Sequence, residues 1–380
     1  MARKVVIIGS AYPLRGGGIT TFNERLAKAY QDAGNEVVIY TFSLQYPSFL
    51  FPGTSQYSKE EPPEYLDIRI TINSINPISW ISTANKVIRE KPDLIIIRYW
   101  LPFMAPCLGS IARLIRMRHK TRIVSITDNI IPHEKRIGDR FLSKFFIKSV
   151  DGFVAMSKSV LNDLDFFDNI KPRDYYPHPI YDNFGTLVSK EEAILKLNLD
   201  NRFSYMLFFG FIRDYKGLDL LLYALNSERL KQLNIKLLVA GEFYGNENKY
   251  NELIQSLNIK EKIVLKTSFI PNTEVYLYFS ACSVVVQPYK DATQSGVTQV
   301  AYHFGKPMIT TNVGGLSEMV PDGKVGYVVE PNAEAIENAI FKFFSERKEE
   351  EFTINVKAER ERFSWYGLIE TIDRLKIKSR

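Results

Sequence analysis

Short, unbroken apolar runs alternate with stretches of helical periodicity along the whole chain. Lys4–Gly9 is a compact apolar strand that gives way to glycines, and Ile19–Ala33 follows with the spacing of a helix. Glu36–Thr41, Asp93–Arg98, Arg122–Ile126 and Gly152–Ala155 repeat the strand signal, and the Lys91-Pro92 stop ends a helix before Asp93. Apolar runs without polar alternation predict strands covered on both faces, and therefore a parallel sheet between layers of helix. The proline-rich residues 42–75 predict an irregular surface excursion. A second series begins after His178-Pro179 and a polar stretch reaching Arg202, with strands at Tyr205–Phe209, Lys236–Ala240, Lys262–Leu265, Ser283–Gln287 and Met308–Thr311. Helices are expected at Leu218–Asn226 and Ala333–Phe344, with a closing one from Trp365 to Ile377.

Two α/β units of similar size follow from this pattern: a first lobe over residues 1–185 and a second over 186–364. Ligands of such folds collect at the carboxyl ends of the strands, so the loops after each strand are where chemistry is expected.

Composition narrows the picture. The chain has 380 residues, 45% of them apolar and 24% charged, as in ordinary globular proteins. Its two cysteines, Cys107 and Cys282, exclude a disulfide framework and suit a reducing compartment. No apolar run reaches the ~18–20 residues of a membrane span, and the opening residues read as a first strand, so a cytoplasmic location is expected. The net charge is +6, and ten basic against three acidic side chains fall within residues 111–150. From Arg136, basic residues recur at Arg140, Lys144 and Lys148, while Ile137, Phe141, Leu142, Phe145 and Phe146 predict an apolar helix face. This stripe is either a solvated face or a contact with anionic membrane. It lacks the aromatic interleaving of a single-strand binder, so no nucleic-acid partner is expected.

Three stretches carry candidate chemistry. Arg15-Gly16-Gly17-Gly18 precedes a helix, where backbone amides and the helix dipole favour an anion, yet its spacing fits neither G-x-G-x-x-G nor a P-loop. In Phe208–Gly217, Arg213 and Lys216 stand three apart after a strand, where two cations can clamp a diphosphate. The run Ala292–Gly296 leads into a helix with Ser295 as N-cap candidate. In the first half, Arg98-Tyr99-Trp100 and Asp128-Asn129, followed by His133-Glu134, end two strands. Asp163-Leu164-Asp165 spells a metal-binding D-x-D, but it lies in a helical stretch and is expected on a solvated surface, so no metal site is expected.

Taken together, these stretches resemble retaining glycosyltransferases of family 4. The resemblance is carried by the glycine loop with Phe22, FGFIRDYKGLDLL, VAGE (Val239–Glu242), PYKDATQSGVTQVAYHFGKPMI and VGGLSEMVPDGKVGYVVEP (Val313–Pro331). It implies the GT-B fold: α/β, two Rossmann-like lobes with parallel sheets facing a central cleft, the closing segment 365–380 packing back on the first lobe. It implies transfer of a sugar from a nucleotide-diphosphate donor to an acceptor hydroxyl with retention and without a metal or other cofactor. The acceptor would be a saccharide or lipid-linked polysaccharide precursor at the inner face of the membrane. Arg213, Lys216, Asp128 and His133 would be catalytic. Gly16, Gly17, Gly18, Glu242, Phe269, Ile270, Gln294, Ser295, Gly296, Val297 and Gln299 would bind the donor, and Tyr99, Trp100, Asn129 and Glu134 the acceptor.

Two departures stand out. The family's pair of glutamates eight residues apart would fall on Ala292 and Val300, leaving Gln294 and Gln299 as the nearest polar candidates in an A-T-Q-S-G branch. Its usual arginine after the strand glycine is Phe211 here, with Arg213 the replacement. A nucleotide-sugar epimerase of the same fold and a non-catalytic sugar-nucleotide binder remain the alternatives.

Overall fold

The computed structural model describes residues 2–16, 18–51, 55–131, 137–181, 184–292 and 295–376. The chain forms two compact units, Met1–Pro179 with Ser364–Arg380, and Ile180–Phe363.

The first unit holds seven parallel strands: β1 (Lys4–Ile8), β2 (Glu36–Leu44), β3 (Asp67–Asn73), β4 (Leu94–Tyr99), β5 (Arg122–Thr127), β6 (Gly152–Ala155) and β7 (Arg173–Tyr175). They lie in the order β3-β2-β1-β4-β5-β6-β7. Helices α1 (Gly18–Asp32), α2 (Pro77–Glu90), α3 (Ala105–Arg116), α4 (Asp139–Ile147) and α5 (Lys158–Asp165) connect them. All six residues of β4 are buried, which is what its unbroken Leu-Ile-Ile-Ile run requires in a sheet packed on both faces. Val6, Ile8, Ile95 and Ile97 share one core with Leu108, Ile111 and Phe146. At roughly 1.5–3 kcal/mol per buried side chain, that core dominates the unit's stability.

The excursion expected over 42–75 is only partly irregular. β2 runs on to Leu44, and β3 pairs with it in parallel from Val38↔Asp67 to Leu44↔Asn73. β3 is an edge strand with Arg69 and Thr71 between its isoleucines, so it lacks the continuous apolar signature of the interior strands. The helix expected from Arg136 begins at Asp139, and its apolar side chains are divided: Phe146 and Ile147 are buried, whereas Phe141, and Ile137 just before the helix, are exposed. Lys135 and Arg136 lie outside the described residues.

The second unit has six parallel strands: β8 (Ser204–Phe209), β9 (Ile235–Ala240), β10 (Ile263–Lys266), β11 (Cys282–Gln287), β12 (Met308–Thr311) and β13 (Gly326–Val329). Their order is β10-β9-β8-β11-β12-β13. Its helices are α6 (Lys190–Lys196), α7 (Leu218–Leu225), α8 (Glu228–Lys231), α9 (Glu247–Ser256), α10 (Val275–Ala281), α11 (Gly296–His303), α12 (Leu316–Met319), α13 (Ala333–Ser345) and α14 (Glu349–Glu359). Leu221, Leu222, Leu237, Val284, Ile340 and Phe343 anchor its core.

After Phe363 the chain returns to the first unit as α15 (Trp365–Arg374), capped by Ser364, whose Oγ accepts from Gly367 N at 3.0 Å. Trp365 packs on Phe22, Arg3 pairs with Asp373 at 2.8 Å, and the Arg122 guanidinium donates to Ile372 O at 3.0 Å. Both cysteines are buried and unbridged. Among the described residues, no helix is long and apolar enough to cross a membrane.

Candidate active site

In the second unit, β8 is flanked by its successor β9 and by β11. Connections leaving the sheet diverge at such a switch point, which opens a crevice at the strands' carboxyl ends. The loop after β8 turns at Gly210 (φ +91°) and runs through Arg213 into a single 3₁₀ turn, Asp214–Lys216. Gly217 follows with φ +67°, and a Cβ there would lie 1.9 Å from Pro288 O. Only glycine allows this approach, which draws the Lys216 turn against the segment after β11.

Lys216 is therefore buried. A Cβ at Gly210 would stand 3.0 Å from its Nζ, and the Tyr289 ring centroid is 5.6 Å away. No carboxylate pairs with it among the described residues. Burial, then the charge of Arg213, pushes its pKa down to about 7. Arg213 is exposed and lies 5.2 Å over the Tyr244 ring. Two nearby carboxylates are engaged elsewhere: Asp214 takes Lys249 at 2.9 Å and the Tyr250 hydroxyl at 3.1 Å, and Asp219 takes Lys290 at 2.6 Å. Two cations at a strand end, neither paired with a carboxylate among the described residues, suit a polyanionic ligand.

Helix α11 starts beside this loop. Buried Ser295 caps it, accepting from Val297 N at 3.2 Å, with its Oγ 3.3 Å from the Tyr289 hydroxyl. Gly296 and Val297 are half-buried on the first turn, where the helix end favours negative charge. Glu242 and Phe269 are half-buried beyond β9 and β10, and Ile270 is buried. Gln299 is different from expectation. It is fully buried, its amide donating toward Met319 Sδ at 3.7 Å, because its position on α11 faces inward. Ala292 and Val300, at the places of the family's glutamates, are also buried. Gln294 lies outside the described residues.

In the first unit the corresponding switch point lies between β1 and β4. Gly16 and Gly18 precede and open α1, Gly18 with φ +49° and nothing within 4 Å of a Cβ built there. Gly17 lies outside the described residues, as do His133 and Glu134. Arg98, at the end of β4, and Asp128, just after β5, form a buried bidentate pair with both bonds at 2.8 Å. The Arg98 guanidinium lies 3.6 Å from the Phe22 ring centroid, and its Nη1 has no hydrogen-bond partner among the described residues. His178, buried beside Phe22, has its pKa pushed down to about 3 by burial and then by Arg98, so it is neutral. Its Nδ1 stands 2.7 Å from Pro179 O.

The acceptor-side expectations fare unevenly. Tyr99 is a core residue: it is fully buried, stacked on Phe146 at 4.0 Å, so its ring cannot meet an acceptor. Trp100 is nearly buried and spends its indole N–H on the Tyr46 hydroxyl at 2.8 Å. Asn129 is half-buried, and its Oδ1 has no hydrogen-bond partner among the described residues. The D-x-D lies on α5, with Leu164 buried and Asp165 paired to Arg173 at 2.6 Å.

Residues 16–175 match the family model "Glycosyltransferase Family 4", and residues 189–360 match "Glycosyl transferases group 1". The chain is a glycosyltransferase of the GT-B type. An uncharacterized glycosyltransferase of Methanocaldococcus jannaschii is 26% identical, the match covering 86% of this chain and 84% of the relative. The D-inositol 3-phosphate glycosyltransferase of Pseudarthrobacter chlorophenolicus is 24% identical over 83% of this chain and 78% of that protein. Among solved structures, Anabaena HepE in complex with UDP-glucose superposes with a TM-score of 0.73, at 15% identity, over 98% of both chains.

In this glycosyltransferase the strand-end residues that sequence reasoning underweighted are Arg98 and Tyr244. Arg98 interrupts an aliphatic strand, and a charge in that position demands a buried counter-ion, which is the signal that points to Asp128. Tyr244 lies between Gly241 and Gly245 in a segment whose sequence carries no comparable demand.

Proposed function

We propose that the protein transfers a sugar from a nucleotide-diphosphate donor to an acceptor hydroxyl, with retention and without a divalent cation. The observation that carries this reading is the pair Arg213 and Lys216, with no carboxylate partner among the described residues, beside the N-terminus of α11. Binding of UDP-glucose by Anabaena HepE supports a donor of this class. The name of the Pseudarthrobacter relative supports a hydroxyl-bearing acceptor.

The sugar–phosphate C–O bond breaks as the acceptor oxygen bonds to the same anomeric carbon, and the hydroxyl proton passes to an oxygen of the departing diphosphate. Charge grows on that diphosphate as the bond breaks, so Arg213 and Lys216 stabilise the transition state more than the bound donor. The cationic clamp supplies the charge neutralisation for which other enzymes use a metal. Asp128, held by Arg98 with two bonds, offers a fixed acceptor for a sugar hydroxyl. The acceptor is a lipid-linked saccharide or polysaccharide precursor, met at the membrane's inner face.

Incubation with a panel of nucleotide sugars, with and without acceptor lipid, tests this through released nucleoside diphosphate. Turnover should require acceptor, persist in EDTA and fall on the order of 10²–10³ in Arg213→Ala or Lys216→Ala. Wild-type turnover in both variants, or activity abolished by EDTA and restored by magnesium, would overturn the clamp.

A further inference from the structure

Beyond Gly210 the chain continues in register with the segment after β9. Ile212 bridges Phe243, Ile212 N donates to Glu242 O, and Tyr244 N donates to Ile212 O, both at 2.9 Å. Side chains alternate along this extension. Ile212 and Phe243 belong to the unit's core, whereas Phe211 and Tyr244 stack on each other outside it, with centroids 4.2 Å apart and planes inclined by 29°. Phe269, after β10, extends the row: its ring is 6.5 Å from Phe211, at the same inclination. Three half-buried rings thus stand at the carboxyl ends of β8, β9 and β10, outside the core their neighbours fill. Arg213, two residues after Phe211, carries the cationic clamp from the same extension.

Large rings held half-open at strand ends have little reason to gather there for stability alone, since the core lies on the other face. Flat apolar faces do suit one kind of ligand group, the face of a heterocyclic base, whatever its edge carries. We propose that Phe211, Tyr244 and Phe269 form the shelf on which the donor's nucleobase rests, while Arg213 and Lys216 take the diphosphate attached to it. This rests on the nucleotide-diphosphate donor proposed above and specifies how its base is held. Strand order supports the assignment: rings lie along β10, β9 and β8, and the cations lie from β8 toward β11. A base, ribose and diphosphate in sequence would follow the same line.

Calorimetric titration of the full chain with UDP, ADP and inorganic pyrophosphate separates the two halves of the site. Phe211→Ala and Phe269→Ala should weaken both nucleotides roughly 5- to 150-fold. Pyrophosphate binding should stay within about twofold. Phe211→Leu and Phe269→Leu keep apolar bulk without the ring and stand in if an alanine variant does not fold. Tyr244 is left intact because it also supports Arg213. Equal losses for pyrophosphate and nucleotide would show that the rings only brace the clamp, and unchanged nucleotide affinity would show that the base lies elsewhere; either overturns the shelf. Wild-type binding of pyrophosphate as tight as UDP would overturn it while leaving the clamp intact. Absence of binding by all three ligands would instead remove the donor reading, and the shelf with it.

Discussion

At the scale of single residues, the proposed site turns on Lys216, a buried lysine with no carboxylate partner among the described residues. Lys216 sits behind Gly210 because Gly217 lets its turn approach Pro288, and that burial, aided by Arg213, brings its pKa down to about 7. A bound diphosphate would favour the charged amine and raise that pKa. Below pH 7 the lysine is already protonated, so affinity should be nearly independent of its titration. Above pH 7 binding must take up a proton, and affinity should fall with rising pH by up to about tenfold per unit. Calorimetric titration with UDP between pH 6 and 9 reads this directly. Lys216→Arg keeps the charge throughout and should flatten the profile; a declining profile that persists in that variant would assign the titration to another group. In the sequence alone Arg213 and Lys216 could equally be two surface cations in a turn, and it is their place in FGFIRDYKGLDLL that marks them as candidates. The sequence did not reveal that Tyr99 and Gln299 are buried, since tyrosine is found both inside and outside and glutamine is mostly exposed, so neither residue type announces a core position.

At the scale of elements, the interior strands were legible, as was the edge strand β10, expected at Lys262–Leu265, while the other three edge strands were not. The expected strands at Lys4–Gly9, Asp93–Arg98 and Ser283–Gln287 correspond to β1, β4 and β11, whose unbroken apolar runs have no other stable use. β3, β7 and β13 all lie at sheet edges, where solvent on one side permits Arg69, or the Arg173-Asp174-Tyr175 triplet, within a strand. The basic cluster of residues 111–150 divides in a way its sequence conceals. Arg113 and Arg116 donate to Phe145 O and Lys148 O, neutralising the carboxyl end of α4, and Arg122 does the same for α15. Arg140 and Lys144 on α4 and Lys148 at its C-cap remain exposed, as do Phe141 and, just before the helix, Ile137. Each cation near anionic lipid contributes roughly 1 kcal/mol, and an apolar side chain entering the interface adds to it. The chain should therefore cosediment with anionic but not neutral vesicles at low salt. Reversing Arg140, Lys144 and Lys148 to Glu should leave it in the supernatant, as should high salt. Equal recovery in the supernatant under every condition would make the stripe a merely solvated face.

At the scale of the whole molecule, the two units differ in how the chain builds them. The second is one continuous stretch, Ile180–Phe363, with its own six-stranded sheet and core. The first is discontinuous and depends on α15 arriving last. That helix buries Trp365, Leu368, Ile369 and Ile372, and its hydrogen bonds and ion pair reach Arg3, Arg122 and Tyr176. At roughly 1.5–3 kcal/mol per fully buried apolar side chain, its loss would remove an amount comparable to the ~5–15 kcal/mol that holds a whole domain together. A fragment ending at Phe363 should therefore lose the first unit's melting transition while retaining the second's. The isolated stretch 180–363 should fold alone, since every strand of its sheet and the whole Arg213–Lys216 loop come from within it. It should bind UDP and pyrophosphate, because the proposed clamp and aromatic shelf both belong to this unit. Its glycosyl transfer should be lost, since Arg98 and Asp128 are absent. Scanning calorimetry of both fragments, with and without UDP, checks each step, since bound ligand raises the second transition by mass action. A folded 180–363 fragment that ignores UDP would show that donor binding needs residues of the first unit.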